Sequence, residues 1–296
     1  MSYPTLRLHP RKEESVLRFH PWIFSGAIAS FSAPVEDGDL VSVVDSKGRP
    51  LGTGHFGGGS IAARLLSFDA EEVIDRAFYK RRLEAALRLR LSCDLVRPVG
   101  SSDSPNTTYR LVHGEGDSLP GLIIDIYDRT AVVQAHSLGM HQARQTIAEV
   151  LWEVFAEAGD PVLPLEGIYY KSETTLPTRD MRELASDGFL IGHTEAAPIY
   201  ENGVRFTPDW LKGQKTGFFI DQRDNRALVA HYAKGRTVLN AFCYTGGFSI
   251  YALHAGAKRV DSLDSSAKAM YLTEQHVALN FGTDCPRHHS VTEDAF

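Results

Sequence analysis

The chain has 296 residues, 43% of them hydrophobic and 23% charged, with a formal net charge of −6 at pH 7. Those totals describe a globular protein of more than one domain and exclude a disordered chain. No apolar run approaches the roughly 18 residues of a membrane span, Met1 to Leu8 lacks the apolar core of a signal peptide, and three scattered cysteines, Cys93, Cys243 and Cys285, indicate neither a disulfide framework nor a zinc site.

The charge is unevenly spread. Lys and Arg outnumber Asp and Glu by 14 to 12 in residues 1–100 and are outnumbered 17 to 25 in the rest. Residues 1–72 read as a small β-rich barrel, with strand-like pieces at 40–44 and 61–66 and turn signals at Asp37-Gly38, Lys47-Gly48 and Gly57-Gly58-Gly59. A short helix is expected over Glu13–Phe19, ended by Pro21, with Trp22 and Phe24 in the core. From Glu72 to Leu95 the pattern is helical, with Phe78, Leu83, Leu87 and Leu91 along one face. Arg76, Lys80, Arg81, Arg82, Arg88 and Arg90 crowd that helix against Glu84, either as a solvated face or as a surface for phosphates. Pro98–Thr108 is polar and reads as a linker.

A second α+β region follows. Residues 109–112 form a candidate strand, and 122–127 with 131–135 form a hairpin around Asp128. Ile147, Val150, Leu151, Val154 and Phe155 mark an amphipathic helix over Gln142–Ala158, stopped by Gly159-Asp160-Pro161. Residues 167–171 are a further strand, the polar stretch to Asp187 is loop, and Asn202-Gly203 turns another hairpin. A helix from Gln222 to Ala233 is predicted with Asp221 as its cap, and Arg223 and Arg226 could reach a carboxylate or phosphate.

The most informative stretch comes last. Val238-Leu239 reads as a buried strand, Thr245-Gly246-Gly247 as a turn, and Phe248 onward as a helix ending before Gly256. A second strand, Arg259–Leu263, ends on Asp264. Strand, glycine turn, helix, strand and acid make the first unit of a doubly wound sheet that holds a nucleoside-bearing cofactor. The acid lies about 20 residues after the glycines, the distance at which it can accept hydrogen bonds from ribose hydroxyls. The loop lacks Gly-x-Gly-x-x-Gly, so a ligand without a pyrophosphate, such as S-adenosylmethionine (SAM), suits it better than a dinucleotide.

Four stretches together carry a resemblance: Phe19–Ser25, Gly114–Leu122, Gln214–Arg226 and Val238–Ser249. Over essentially its whole length the chain resembles the RlmI-like (YccW-like) class I SAM-dependent methyltransferases of bacterial 23S ribosomal RNA. The resemblance implies an N-terminal PUA-like β-barrel that binds RNA, a central α+β domain, and a C-terminal Rossmann-like α/β methyltransferase domain. The corresponding boundaries are 1–72, a helical linker at 73–108, 109–205 and 206–296. The implied activity is methylation of C5 of a cytosine in 23S rRNA, in the cytoplasm, without a metal or a membrane, and with a homodimer left open. Asn240, Phe242, Tyr244, Thr245, Gly246 and Gly247 match the SAM loop, Asp264 the ribose acid, Asp294 the adenine position, and Lys215, Thr216, Gln222 and Arg223 the segment that closes over SAM.

In one respect the sequence departs from the family pattern. No Asp-Pro-Pro motif occurs and no cysteine follows Cys285. The family places its catalytic cysteine later, so Cys243 is expected to be a packing residue and no catalytic residue is assigned in this chain. The sequence therefore reads as a methyltransferase that stops inside its catalytic domain. It is expected to be inactive alone, with Val238-Leu239 on an open sheet edge. Two other readings remain at this point: a methyltransferase of another RNA base, and an RNA-binding protein with a residual SAM fold.

Overall fold

The computed structural model describes residues 3–177 and 186–295. The chain forms two compact units, Met1–Val96 with Arg110–Thr194, and Arg97–Tyr109 with Glu195–Phe296.

The first unit opens with a six-stranded sheet in the order β2-β6-β5-β4-β1-β3. Its strands are β1 Thr5–Leu8, β2 Trp22–Phe24, β3 Ile28–Phe31, β4 Leu40–Val44, β5 Pro50–Phe56 and β6 Ile61–Ser67. Alternation drives it: Leu6, Leu8, Val41 and Val43 point inward and join Val16, Ile23, Ala63 and Leu65 in one core. Glycines let β5 pass close to β6. A Cβ on Gly54 would lie 2.1 Å from the Arg64 carbonyl oxygen. The expected helix is α1, Glu14–Leu17. The expected core role of Trp22 and Phe24 does not hold. The period of two puts Ile23 inside instead, leaving Phe24 52% exposed and Trp22 half-buried with its indole N–H on Glu115 Oε1 at 2.6 Å.

Helix α2, Arg76–Ser92, starts at Asp75, whose side chain accepts the Phe78 N–H at 2.9 Å. Phe78, Leu83 and Leu87 are buried as expected. Each of its basic residues has an acidic partner. Arg76 pairs with Glu153 at 2.5 Å, Lys80 with Glu157 at 2.7 Å, Arg81 and Arg82 with Glu72, and Arg88 with Glu84. Arg90 is buried against Asp117. The acids that pair with Arg76 and Lys80 come from α4, Arg144–Ala158, which follows the short α3, Leu138–Gln142. A helix read by itself cannot reveal its neighbour's charges.

The inner face of α4 buries Ile147, Val150, Leu151, Val154 and Phe155, the five residues its periodicity marks. The second sheet has the order β11-β10-β9-β8-β7. Its strands are β7 Thr108–His113, β8 Leu122–Tyr127, β9 Thr130–Ala135, β10 Gly167–Tyr170 and β11 Gly188–Gly192. Every residue of β9 and β10 is buried. The predicted loop leading to Asp187 lies partly outside the described residues.

In the second unit, the polar stretch expected as a linker is tied to the hairpin of β12 (Ile199–Glu201) and β13 (Val204–Phe206). The Thr107 N–H donates to the Tyr200 carbonyl at 2.8 Å, and the Gly203 N–H to the Pro105 carbonyl at 2.8 Å. Helix α5, Arg223–Ala233, leads into β14, Thr237–Ala241. Then come α6 Gly247–His254, β15 Arg259–Asp264, α7 Ala267–Phe281 and β16 His288–Thr292. The three strands are parallel in the order β14-β15-β16. Among the described residues β14 is an edge strand, and its Leu239 is 69% exposed.

Candidate cofactor site

The site forms where β14 and β15 end. The β14–α6 turn carries three left-handed residues in five: Phe242 (φ 57°), Tyr244 (φ 50°) and Gly246 (φ 74°). Two of them have side chains, which makes the turn a strained conformation that its surroundings must hold. Asp264 Oδ2 accepts the Tyr244 N–H at 2.9 Å, and the Cys243 N–H donates to the Leu263 carbonyl at 3.1 Å. The Thr273 hydroxyl donates to the Tyr244 carbonyl at 3.0 Å. His276, buried in α7, accepts the Thr207 N–H at Nε2, which leaves Nδ1–H to donate to the Thr245 carbonyl at 2.8 Å. Burial holds its pKa below the ordinary imidazole value, so the ring is neutral. Gly246 has no room for a side chain: a Cβ would meet Thr273 Cγ2 at 2.5 Å.

Segment 214–222 folds over this turn. The Gln214 N–H donates to the Tyr244 hydroxyl at 3.1 Å. Phe219 packs edge-on to Tyr244 with centroids 5.4 Å apart. The Lys215 ammonium sits 4.3 Å from the Phe219 ring centroid and 3.2 Å from Asp221 Oδ1. Burial opposes ionisation of Asp221, but hydrogen bonds from Gln222 and Lys215 outweigh it and hold the carboxyl below the usual carboxylate range. Asp221 is therefore not the cap of α5. It lies in a 3-10 turn, Ile220–Gln222, and Gln222 stands at the cap position without a side-chain bond to the backbone of the helix's first turn.

Between segment and turn lies a cavity of about 310 Å³. Of the twelve residues predicted from sequence, Lys215, Gln222, Phe242, Tyr244, Thr245 and Gly247 line it. Asp264 stands behind Tyr244, half-buried, its Oδ1 accepting the Ser266 N–H at 2.9 Å. Gly246 caps α6. Asn240 turns inward, donating to Ser249 Oγ at 2.8 Å, which continues through Ser262 to His288. Thr216 is wholly buried outside the cavity lining, and Asp294 is exposed beyond β16. Arg223 is buried, with its guanidinium on the Thr108 carbonyl and 3.5 Å from Glu201. The sequence reading missed Phe218, Phe219, Asp221, Arg226 and Phe248 as lining residues. The Phe218-Phe219 pair between polar neighbours is the signal that could have found them. Arg226 does reach a carboxylate, that of Glu201 in β12.

Cys243 also borders the cavity, but it is 6% exposed, and its Sγ lies 3.4 Å from Met270 Sδ. Burial pushes its pKa up to about 11, so at neutral pH it is a thiol and no nucleophile. At pH 7.5, iodoacetamide is expected to alkylate the exposed Cys93 within minutes and to leave Cys243 unmodified until the chain is denatured. Peptide mass spectrometry reads both, and rapid native labelling of Cys243 would contradict the buried thiol.

Two family models match: a PUA-like domain over residues 6–68, and an S-adenosylmethionine-dependent methyltransferase over residues 178–294. Among curated proteins, the chain is similar to the ribosomal RNA large subunit methyltransferase I of Alteromonas mediterranea, 38% identical over 98% of this chain and 69% of the relative. It is similar to that of Klebsiella pneumoniae at 36% identity, over 99% of this chain and 70% of the relative. It spans 66–70% of the length of four such curated relatives. A solved structure named for a SAM-dependent methyltransferase of Streptococcus mutans shares the fold, with a TM-score of 0.79 at 23% identity over 99% of this chain and 71% of that one. Another solved methyltransferase, complexed with SAH, matches at the same TM-score over all of this chain and 70% of its own.

Proposed function

We propose a function for a chain that belongs to the ribosomal RNA large subunit methyltransferase I family: it binds SAM in the cavity at the ends of β14 and β15 and serves methylation of C5 of a cytosine in 23S rRNA. The observation that carries the reading is the strained turn latched to Asp264. The residues present suit SAM chemically. Phe219, Phe242 and Tyr244 offer faces to a heterocycle, Lys215 and Asp221 offer opposite charges to an amino-acid zwitterion, and Asp264 retains lone pairs for ribose hydroxyls. Bound SAM would supply an electrophilic methyl group.

What this chain's own residues do is bind and orient. Gly246 and Gly247 bring backbone close to the ligand, the folded-over segment excludes water, and Asp264 sets the turn. The twelve sequence-predicted residues remain the proposed cofactor set, with the six at the cavity in direct contact and Asp264, behind Tyr244, reaching the ribose through its remaining lone pairs. The PUA-like region 1–72 and the central region 109–205 would hold the rRNA. C5 of cytosine becomes nucleophilic after a thiolate adds to C6. Cys243 is a buried thiol, so no such step is assigned to it.

Two measurements test this. Millimolar SAM is expected to raise the melting temperature of the 1–296 chain. An unchanged melting curve would overturn the cofactor reading. Labelled SAM and protein-free 23S rRNA are expected to yield no 5-methylcytidine with this chain alone. Product formation would show that one of its three cysteines is a working nucleophile.

A further inference from the structure

The first unit holds a second cavity, of about 270 Å³, that the cofactor reading does not use. Its floor is His55 of β5, which is 6% exposed. Ring atom Nδ1 of His55 is buried and has no hydrogen-bond partner. The start of α3 seals the ring from behind: a Cβ on Gly139 would lie 2.2 Å from His55 Cγ. An unsatisfied buried nitrogen on a residue that lines a cavity is a recognition group without a partner.

The walls narrow the chemistry. Arg64 is the cross-strand partner of both His55 and Trp22, so a guanidinium stands beside the histidine on one face of the sheet. Its one side-chain hydrogen bond is a long one, 3.4 Å, to the Ile61 carbonyl, and the carboxylate in electrostatic reach of it, Glu115, accepts the Trp22 indole N–H. On the other side Asp37 reaches Gly58, where a Cβ would meet its Oδ1 at 3.0 Å. Phe56, Ile61 and Leu138 supply apolar surface. A lone phosphate is disfavoured by Asp37, and a lone cation by Arg64. A flat, neutral group with donors and acceptors along one edge satisfies both and fills the space. Burial lowers the His55 pKa to about 4, so the imidazole is neutral and accepts or donates according to its tautomer.

We propose that this cavity takes one unstacked nucleobase of the bound RNA, read by Asp37, Arg64 and His55. The proposal rests on the reading that this unit binds rRNA. Base-edge recognition of splayed nucleotides is the way proteins read single-stranded RNA.

The test uses the 1–296 chain and protein-free 23S rRNA, with binding measured at several salt concentrations. His55→Leu keeps the apolar bulk and removes both ring nitrogens. It is expected to weaken binding about tenfold, as loss of one base contact does, without changing the slope of log affinity against log salt. Leu138→Trp, which fills the mouth, is expected to do the same. Ultraviolet cross-linking of the wild type should place a nucleotide on the peptide carrying Phe56. Circular dichroism melts check that both variants fold.

If the wild type binds, both variants bind equally well and the adduct lies elsewhere, the cavity is not a base site, although the RNA reading stands. If Arg64→Gln lowers the salt slope by about one while His55→Leu has no effect, the site holds a phosphate and the nucleobase proposal fails. If the wild type does not bind 23S rRNA, both readings fall.

Discussion

Asp264→Ala is expected to weaken SAM binding about 100-fold. The carboxylate holds two backbone N–H groups, Tyr244 through Oδ2 and Ser266 through Oδ1, each at 2.9 Å. The first bond fixes a residue in the left-handed region, and nothing in the Tyr244 side chain favours that conformation. Removing the carboxylate frees the turn and deletes the acceptor proposed for the ribose. Hydrogen bonds to a charged group contribute about 1.5–3 kcal/mol each, so the loss of one ribose contact and of the turn's order comes to roughly two powers of ten. At a ligand concentration 100 times the dissociation constant, SAM stabilises the wild type by about 2.7 kcal/mol, and a hundredfold weaker site would leave about 0.4 kcal/mol. Asp264→Asn should fall between, because its amide keeps one acceptor and turns an NH₂ toward the other N–H. Calorimetric titration decides. Equal affinities for wild type and Asp264→Ala would show that the cofactor lies elsewhere.

Arg226→Met is expected to cost the second unit about 3–5 kcal/mol, the scale for breaking a buried ion pair by removing one partner. Arg226 is 2% exposed and Glu201 fully buried. Two parallel bonds join them, Nε to Oε1 at 2.8 Å and a terminal nitrogen to Oε2 at 2.7 Å, and the same nitrogen donates to the Phe219 carbonyl at 3.0 Å. The guanidinium also stacks 4.7 Å from the Phe218 ring centroid. One residue thus ties β12, α5 and the segment over the cavity together. Methionine preserves the apolar stem but strands a carboxylate among apolar groups. The double variant Arg226→Met/Glu201→Leu should recover only part of the loss, because it removes the stranded carboxylate but leaves the buried Arg223 without its Glu201 partner. Urea unfolding followed by hydrogen exchange in the second unit measures it. A loss below about 1 kcal/mol for the single variant would mean that Arg223, already 3.5 Å from Glu201, takes over the pairing.

Much of this molecule was legible in the chain alone. The five apolar residues of α4, the hairpin around Asp128 and the strand-glycine-helix-strand-acid order each follow from a few neighbouring residues. Backbone periodicity and turn chemistry are local, so a local reading captures them. The placement of Asp264 against the glycine turn also needed nothing beyond spacing. The tertiary structure alone decided which charges are free and which are spent. It paired Arg76 and Lys80 of α2 with acids of α4, buried Arg223 and Arg226 on Glu201, and put Ile23 rather than Trp22 and Phe24 inside. It also brought Asp37, His55 and Arg64 around a cavity that no motif announces. Whether a charge or a ring nitrogen finds a partner depends on residues far away in sequence, and burial multiplies the energy at stake. Composition and spacing carry no record of that distance.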